Sequence, residues 1–154
     1  MNKPSHWLLA AAMLSGFCAH AQTLTMPAGL DKPAPSEALD AKAYRVDAAR
    51  HIYRNYRPLI HQGQLPPLLQ GVAILETTID EEGAVEKIEV IREPAAKEIT
   101  PWLVAMIQAA QPFPAAPRQG KVVYRDIWLV TSEGRFQLDA ITEGQVHRSV
   151  AVAP

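Results

Sequence analysis

The sequence is poor in cysteine, in aromatic residues and in excess charge of either sign. Its 154 residues include one cysteine, Cys18, and only 6% of them are aromatic. A single cysteine excludes an internal disulfide scaffold and a zinc site built from several cysteines. The 15 Lys and Arg residues nearly balance the 16 Asp and Glu residues, which leaves a net charge of −1. A basic nucleic-acid-binding surface is therefore disfavoured, and no nucleic acid is expected as a partner.

Residues 1–21 have the composition of a secretory signal peptide. Lys3 precedes an apolar stretch, and Ala19-His20-Ala21 has the pattern of a signal-peptidase cleavage site. The stretch is shorter than the roughly 20 apolar residues of a membrane-spanning helix. We therefore predict that the signal is cleaved, that the protein is periplasmic, and that no membrane span remains after cleavage. Cleavage would also remove Cys18. Retention of the leader as an anchor is the alternative.

The rest of the chain predicts one domain between a flexible lead-in and a tail. Residues 22–39 contain three prolines and no sustained periodicity, so we predict that they form the lead-in. Residues 40–142 are long enough for one hydrophobic core and too short for two. Residues 143–154 are predicted to be the tail.

Two segments have helical periodicity. Apolar residues recur every four positions after Asp40, which predicts a helix that Pro58 ends. The second helix is predicted from Ala95 to about Ala110, or only from Thr100 onward if Thr100-Pro101 forms its start. The expected buried faces are Tyr44, Ala48, Ile52 and Tyr56 on the first helix, and Leu103, Met106, Ile107 and Ala110 on the second.

The strands are predicted from β-branched runs separated by turn residues. Val72 to Ile79 and the run from Val85 to Ile91 flank a turn that ends at Gly83, which predicts a β-hairpin. Two further strands are expected at Val122–Val130 and 136–141. The order of elements predicts an α+β fold with two helices packed on a small antiparallel sheet of three to four strands. Its expected core face on the first strand is Ala73, Leu75, Thr77 and Ile79.

The sequence contains no pattern typical of catalysis or metal binding. The acidic residues Asp80, Glu81 and Glu82 lie together in a turn, where they would be solvated. His51 has Asp47 at helical spacing but no second pair of ligands. We therefore predict no enzyme activity and no catalytic, metal or cofactor site. The enzyme alternative requires a cleft that holds His51 or His61 beside a buried carboxylate.

Charge and strand edges point instead to a protein partner. One face of the first helix is basic, whereas the hairpin is acidic, and such a polarised surface can orient a partner. The two later strands carry few inward charges to block an open sheet edge, so an extended peptide could add there as a strand. The candidate binding residues are Val122, Tyr124, Asp126, Phe136 and Leu138 on these strands, with Arg50, Arg54 and Arg57 on the helix.

The pattern from Gly71 onward resembles the C-terminal domain of the TonB and TolA energy transducers. That family has a glycine, an alternating strand, an acidic turn that ends in glycine, and then V-x-x-I-x-V. The corresponding positions here are Gly71, the turn from Asp80 to Gly83, Val85, Ile88 and Val90. The helix and proline-rich exit ITPWLVAMIQAAQPFPAAP is also similar, and the resemblance covers roughly residues 42–142. It implies the TonB/TolA-like fold and a periplasmic domain that receives an extended segment from an outer-membrane protein as an added strand.

We therefore expect a non-catalytic periplasmic module that binds periplasmic or outer-membrane proteins in envelope transport, without a cofactor. A homodimer is left open. The alternative is a small-ligand-binding protein with a pocket between the helices and the sheet, lined by Trp102, Trp128 and Tyr124. The same aromatic residues could instead fill the core.

Overall fold

The computed structural model describes residues 32–145, so the predicted signal peptide, most of the lead-in and most of the tail lie outside the described residues. Within this range two helices pack on a four-stranded antiparallel sheet, which confirms the predicted α+β fold. The sheet order is β2-β1-β3-β4. The elements are α1 (Ala41–Asn55), β1 (Gly71–Ile79), β2 (Val85–Arg92), α2 (Ile99–Ala109), β3 (Val122–Val130) and β4 (Phe136–Leu138).

Helix α1 begins and ends where its sequence predicts. The Asp40 side chain accepts a hydrogen bond of 2.8 Å from the Ala43 N–H and so satisfies a donor of the first turn. After Asn55 the chain enters a short 3-10 turn, Arg57–Leu59, which contains Pro58. The predicted apolar face is buried against the sheet, namely Tyr44, Ala48, Ile52 and Tyr56.

Strand β1 is the centre of the sheet and has the predicted alternation. Its odd-numbered residues are buried and the even-numbered residues are half-buried, so one face meets the helices. All nine residues of β1 pair with β3, and β1 pairs with β2 on its other side. The predicted core residues Ala73, Leu75, Thr77 and Ile79 are all nearly inaccessible to solvent.

Two element boundaries differ from the predictions. Helix α2 begins at Ile99 after Glu98, so Thr100 is not its cap, and the Thr100 hydroxyl is buried without a hydrogen-bond partner among the described residues. The last strand ends at Leu138, and a 3-10 turn, Asp139–Ile141, replaces its second half. Asp139 binds Arg45 of α1 at 2.7 Å, which holds the chain there out of the sheet.

The end of the predicted lead-in is docked on the domain. Ser36 is buried, its N–H donates to the Ala115 carbonyl at 2.7 Å, and its hydroxyl donates to Asp47 at 2.7 Å. Ala38 belongs to the hydrophobic core. The packed domain therefore extends toward the N-terminus beyond the predicted boundary at residue 40.

Candidate protein-binding edge

Strand β3 is an interior strand, which corrects the expectation that it forms an open edge. Its whole length pairs with β1, and Trp128–Val130 also pairs with β4. The predicted binding residues on this strand are buried beneath the helices and are each at most 7% exposed, namely Val122, Tyr124 and Asp126. Their side chains are therefore unavailable to an added strand.

Strand β4 lies at the margin of the sheet, but the chain itself closes its outer side. The His61 N–H donates to the Phe136 carbonyl at 3.0 Å, and the Leu138 N–H donates to the Tyr53 hydroxyl at 3.1 Å. Ile60 also forms a parallel bridge with Phe136. Because these backbone groups already have partners, the predicted edge at Phe136 and Leu138 is closed.

The side chain of Gln137 fastens this closure from the opposite face of β4. Its amide nitrogen donates to the carbonyls of His61 and Gly63 at 2.9 and 2.7 Å. Its amide oxygen accepts from the Thr142 hydroxyl and the Glu143 N–H at 2.7 and 3.1 Å. All four hydrogen-bonding positions of the amide are therefore filled. This satisfies a polar side chain whose residue is only 1% exposed. The only signal in the sequence is one glutamine between two large apolar residues.

Strand β2 is the open edge of the sheet. Among residues 32–145 it has one strand neighbour, β1, and six of its eight residues are exposed, including Val90 and Ile91. Successive residues of a strand direct their backbone groups to opposite sides. On β3 the Ile127 N–H binds the Asp126 side chain, and just after the strand the Thr131 N–H donates to the Arg135 carbonyl at 2.8 Å, so odd-numbered residues there point away from β1.

The same alternation, followed through the sheet, identifies the free groups of β2. Even-numbered residues of β3 bond to odd-numbered residues of β1, so Glu76 and Thr78 of β1 bond to β2. Their partners are Glu89 and Lys87. Ile88, between these two, and Val90 therefore direct their N–H and C=O groups to solvent. These are the groups that an added strand would bond.

Bulges and charges limit the usable length of this edge. The register between β1 and β2 shifts at Glu86 and again at Ile91, so only Lys87–Val90 pairs regularly. Lys87 and Glu89 form an ion pair on the face away from the helices, and this hydrogen bond lowers the pKa of Glu89. The ionised form of Glu89 is therefore favoured, and any strand added at this edge would lie beside this ion pair.

The basic face of α1 is exposed as predicted but lies away from β2. Arg50 binds Asp47 on the same helix at 3.3 Å. Arg54 and Arg57 line a small cavity of about 220 Å³ together with Tyr53, Ile60 and Gln62. Because α1 packs mainly on β3, these arginines and the β2 edge form separate surfaces.

An ion-pair network replaces the predicted role of Asp126. The Arg45 guanidinium donates to Asp126 Oδ1 through Nε and Nη2, at 3.0 and 2.8 Å, and it also binds Asp139. Asp126 Oδ2 is buried and has no hydrogen-bond partner among the described residues. Burial raises the pKa of Asp126 to about 6, although Arg45 and the Ile127 N–H favour its charged form.

The histidines do not meet this buried carboxylate. His51 is buried against Phe113, and its Nε2–H donates to the Ala110 carbonyl at 2.7 Å. Burial lowers the pKa of His51, which favours the neutral ring. His61 Nε2 lies 3.2 Å from the Gln64 carbonyl. Residues 32–145 contain no group of three or more His, Cys, Asp or Glu residues that could hold a metal ion.

The three aromatic residues of the ligand-binding alternative are not brought together in one pocket. Trp128 and Tyr124 are buried in the core. Trp102 is half-buried and lines a groove of about 310 Å³ at the end of the sheet, beside Ile99 and Val130. Trp128 instead packs on Phe136 with ring centroids 5.0 Å apart.

Comparisons of the chain with protein-family models, curated proteins and solved structures find no match. The resemblance to TonB and TolA C-terminal domains therefore stays a prediction that rests on the motifs. None of the helices within residues 32–145 is both long and apolar enough to cross a membrane.

Proposed function

We propose that this protein is a non-catalytic binding module of the periplasm, which docks an extended segment of a partner protein by β-strand addition in envelope transport. The β2 edge carries this proposal, because Ile88 and Val90 offer backbone donors and acceptors that no described residue uses. The leader and the TonB/TolA-like motifs support the periplasmic location and the kind of partner.

The two margins of the sheet are not equivalent, which supports β2 as the docking strand. The β4 side is closed by His61 and Tyr53, whereas among the described residues the outer side of β2 is bound only at its first residue, where the Val85 N–H donates to Gln111 Oε1 at 2.7 Å. Backbone hydrogen bonds along β2 would supply affinity, and the alternating side chains would supply specificity. The charges of Lys87 and Glu89 discriminate among partners.

The arginines of α1 are assigned an auxiliary role in this proposal. Arg50 and Arg54 lie on α1, which packs mainly on β3, and Arg57 begins the 3-10 turn that follows the helix. They would contact an acidic region of the partner outside the added strand, and their loss would affect the association rate and its salt dependence more than the docking itself.

Val90→Pro tests strand addition, because it removes an N–H that points to solvent and leaves the β1–β2 hydrogen bonds in place. The protein, its Val90→Pro variant and a Val90→Ala control are compared in capture from an envelope extract. We expect Val90→Ala to capture the partner and Val90→Pro to bind it about tenfold less tightly. Slower amide exchange at Ile88 and Val90 in the complex is also expected. Equal capture by the proline variant with unchanged exchange would exclude docking at β2.

A further inference from the structure

We propose that the extended segment docked at β2 is the β2 strand of a second copy of this chain, related by a twofold axis at Ile88. This inference rests on the proposed docking role of β2 and names the partner strand. It predicts one continuous sheet of eight strands across the two copies, in which the open edge of each copy is covered by the other.

The geometry of a twofold pair restricts the register. Two copies of one strand around a twofold axis run antiparallel, and some residue then lies opposite itself in the partner. The bulges at Glu86 and Ile91 place that residue within Lys87–Val90. A centre at Val90 would bring the Ile91 bulge next to the middle of the pairing, and a centre at Lys87 would do the same with the Glu86 bulge, so Ile88 and Glu89 remain as candidates.

The charges of Lys87 and Glu89 distinguish these two centres and also disfavour Lys87. A centre at Lys87 places two ammonium groups opposite each other, and a centre at Glu89 does the same with two carboxylates. A centre at Ile88 places Lys87 of each copy opposite Glu89 of the other, which gives two attractive pairs. In this register Ile88 also directs its N–H and C=O toward its symmetry mate, as an antiparallel hydrogen-bonded pair requires.

The charges already present on the sheet favour the same arrangement. Glu89 lies directly opposite Glu76 of β1, and Glu76 is already bound to Arg125 at 2.8 Å. An incoming Lys87 on the other side of Glu89 would place a cation beside these two neighbouring acids. Lys87 and Glu89 are exposed, with side chains 61% and 46% accessible, so the exchange requires no rearrangement of the core.

Charge reversal tests the register without disturbing the fold. We expect the purified protein to sediment as a concentration-dependent dimer, and Lys87→Glu and Glu89→Lys each to weaken the dimer at least about tenfold. An equimolar mixture of the two variants should dimerise again, because one copy then carries acids at both positions and the other carries bases. Lys97→Glu and Glu82→Lys make the same charge changes on exposed residues outside β2, and these controls should dimerise as the unmodified protein does, alone or mixed.

The outcomes separate this inference from the proposed function. A protein that stays monomeric at every concentration, or a mixture that does not restore the dimer, overturns the twofold β2 pairing. If Val90→Pro still weakens capture from the envelope about tenfold in that case, β2 docks a different chain and the proposed function stands. The protein could instead dimerise with the charge-reversal pattern while Val90→Pro leaves capture from the envelope unaffected. In that case the twofold pairing stands and only the docking of an envelope protein at β2 is overturned.

Discussion

At the scale of single residues, Asp126 is the position where burial and charge conflict. Its carboxyl group is 3% exposed and receives hydrogen bonds on one oxygen only, from Arg45 and from the backbone of Ile127. Arg45 comes from α1 and Asp126 from β3, which are 81 positions apart in the chain. The pair therefore joins helix to sheet, and it makes the stability of the fold depend on pH.

The folded protein should lose stability as the pH rises from about 4 to about 6. Burial raises the pKa of Asp126 from 3.8 to about 6, so the folded state holds this proton more tightly than the unfolded state. Protonated Asp126 therefore contributes fully to the free energy of unfolding below about pH 4. This contribution, about 3 kcal/mol, is lost as the pH rises to about 6. Asp126→Asn should lack this decline in urea titrations at a series of pH values. Parallel pH profiles for the variant and the unmodified protein would contradict the assignment.

A second variant tests the role of Arg45 in the same pair. Arg45 lowers the pKa of Asp126, so Arg45→Met should extend the decline of stability above pH 6. At pH 8 the variant leaves a buried, unpaired carboxylate, and we expect a loss of about 3–5 kcal/mol that Asp126→Asn in the same chain reduces. Arg50→Met removes a cation exposed on the same helix and serves as the control. Equal losses for both arginine variants would show that the buried pair is not responsible.

At the scale of elements, the two glycines of the motif have separate structural reasons. A Cβ on Gly71 would lie 2.6 Å from Ile99 Cδ1, so glycine there lets β1 approach the start of α2. Gly83 has φ +95° and its carbonyl accepts from the Phe113 N–H at 2.7 Å. A Cβ at Gly83 would lie 2.1 Å from the Phe113 carbonyl oxygen. The turn of the hairpin is therefore packed against the proline-rich exit of α2.

This contact distinguishes Gly83 from an ordinary turn glycine. Gly134 also has positive φ, +70°, but a Cβ there would meet open space. Both alanine variants introduce backbone strain, whereas Gly83→Ala must also displace the Phe113 backbone. We expect Gly83→Ala to lower the free energy of unfolding by about 2 kcal/mol more than Gly134→Ala does in urea titrations. Equal effects would mean that the turn and the α2 exit are not coupled.

Local sequence patterns predicted most of the helices and strands. The position of the open edge could not be predicted in this way, because it depends on contacts between residues far apart in the chain. The β-branched runs beside Gly83 predicted the hairpin, and the four-residue repeat predicted the buried face of α1. The sheet order instead depends on pairing between Val122–Val130 and β1, about 50 positions earlier. The expectation of an edge at β3 or β4 was wrong because β3 lies inside the sheet and a loop at Ile60 and His61 covers β4.

Across the whole sheet, the two margins differ: other segments of the chain cover β4, whereas most of β2 is left uncovered among the described residues. The segment after α1 crosses the outer side of β4, and the chain after β4 returns to it, where the Leu65 N–H donates to the Gly144 carbonyl at 2.8 Å. Gln137 binds both segments at once. Among the described residues, the chain thus covers the β4 margin with its own backbone and leaves β2 uncovered from Lys87 to Val90, so the proposed docking would involve one edge only.

Loss of the Gln137 side chain should open the closed margin. Gln137→Ala removes four hydrogen bonds and leaves the His61 and Gly63 carbonyls without the amide donor, so we expect a loss of ~2–4 kcal/mol in urea titrations. In the variant, hydrogen exchange at the His61 N–H should speed up more than exchange at the buried N–H groups of β1. The reason is that the segment at His61 can detach before the sheet unfolds. Gln64→Ala, on an exposed residue of the same segment, is the control and should do neither. Unchanged exchange at His61 in the Gln137 variant would show that backbone contacts alone close this margin.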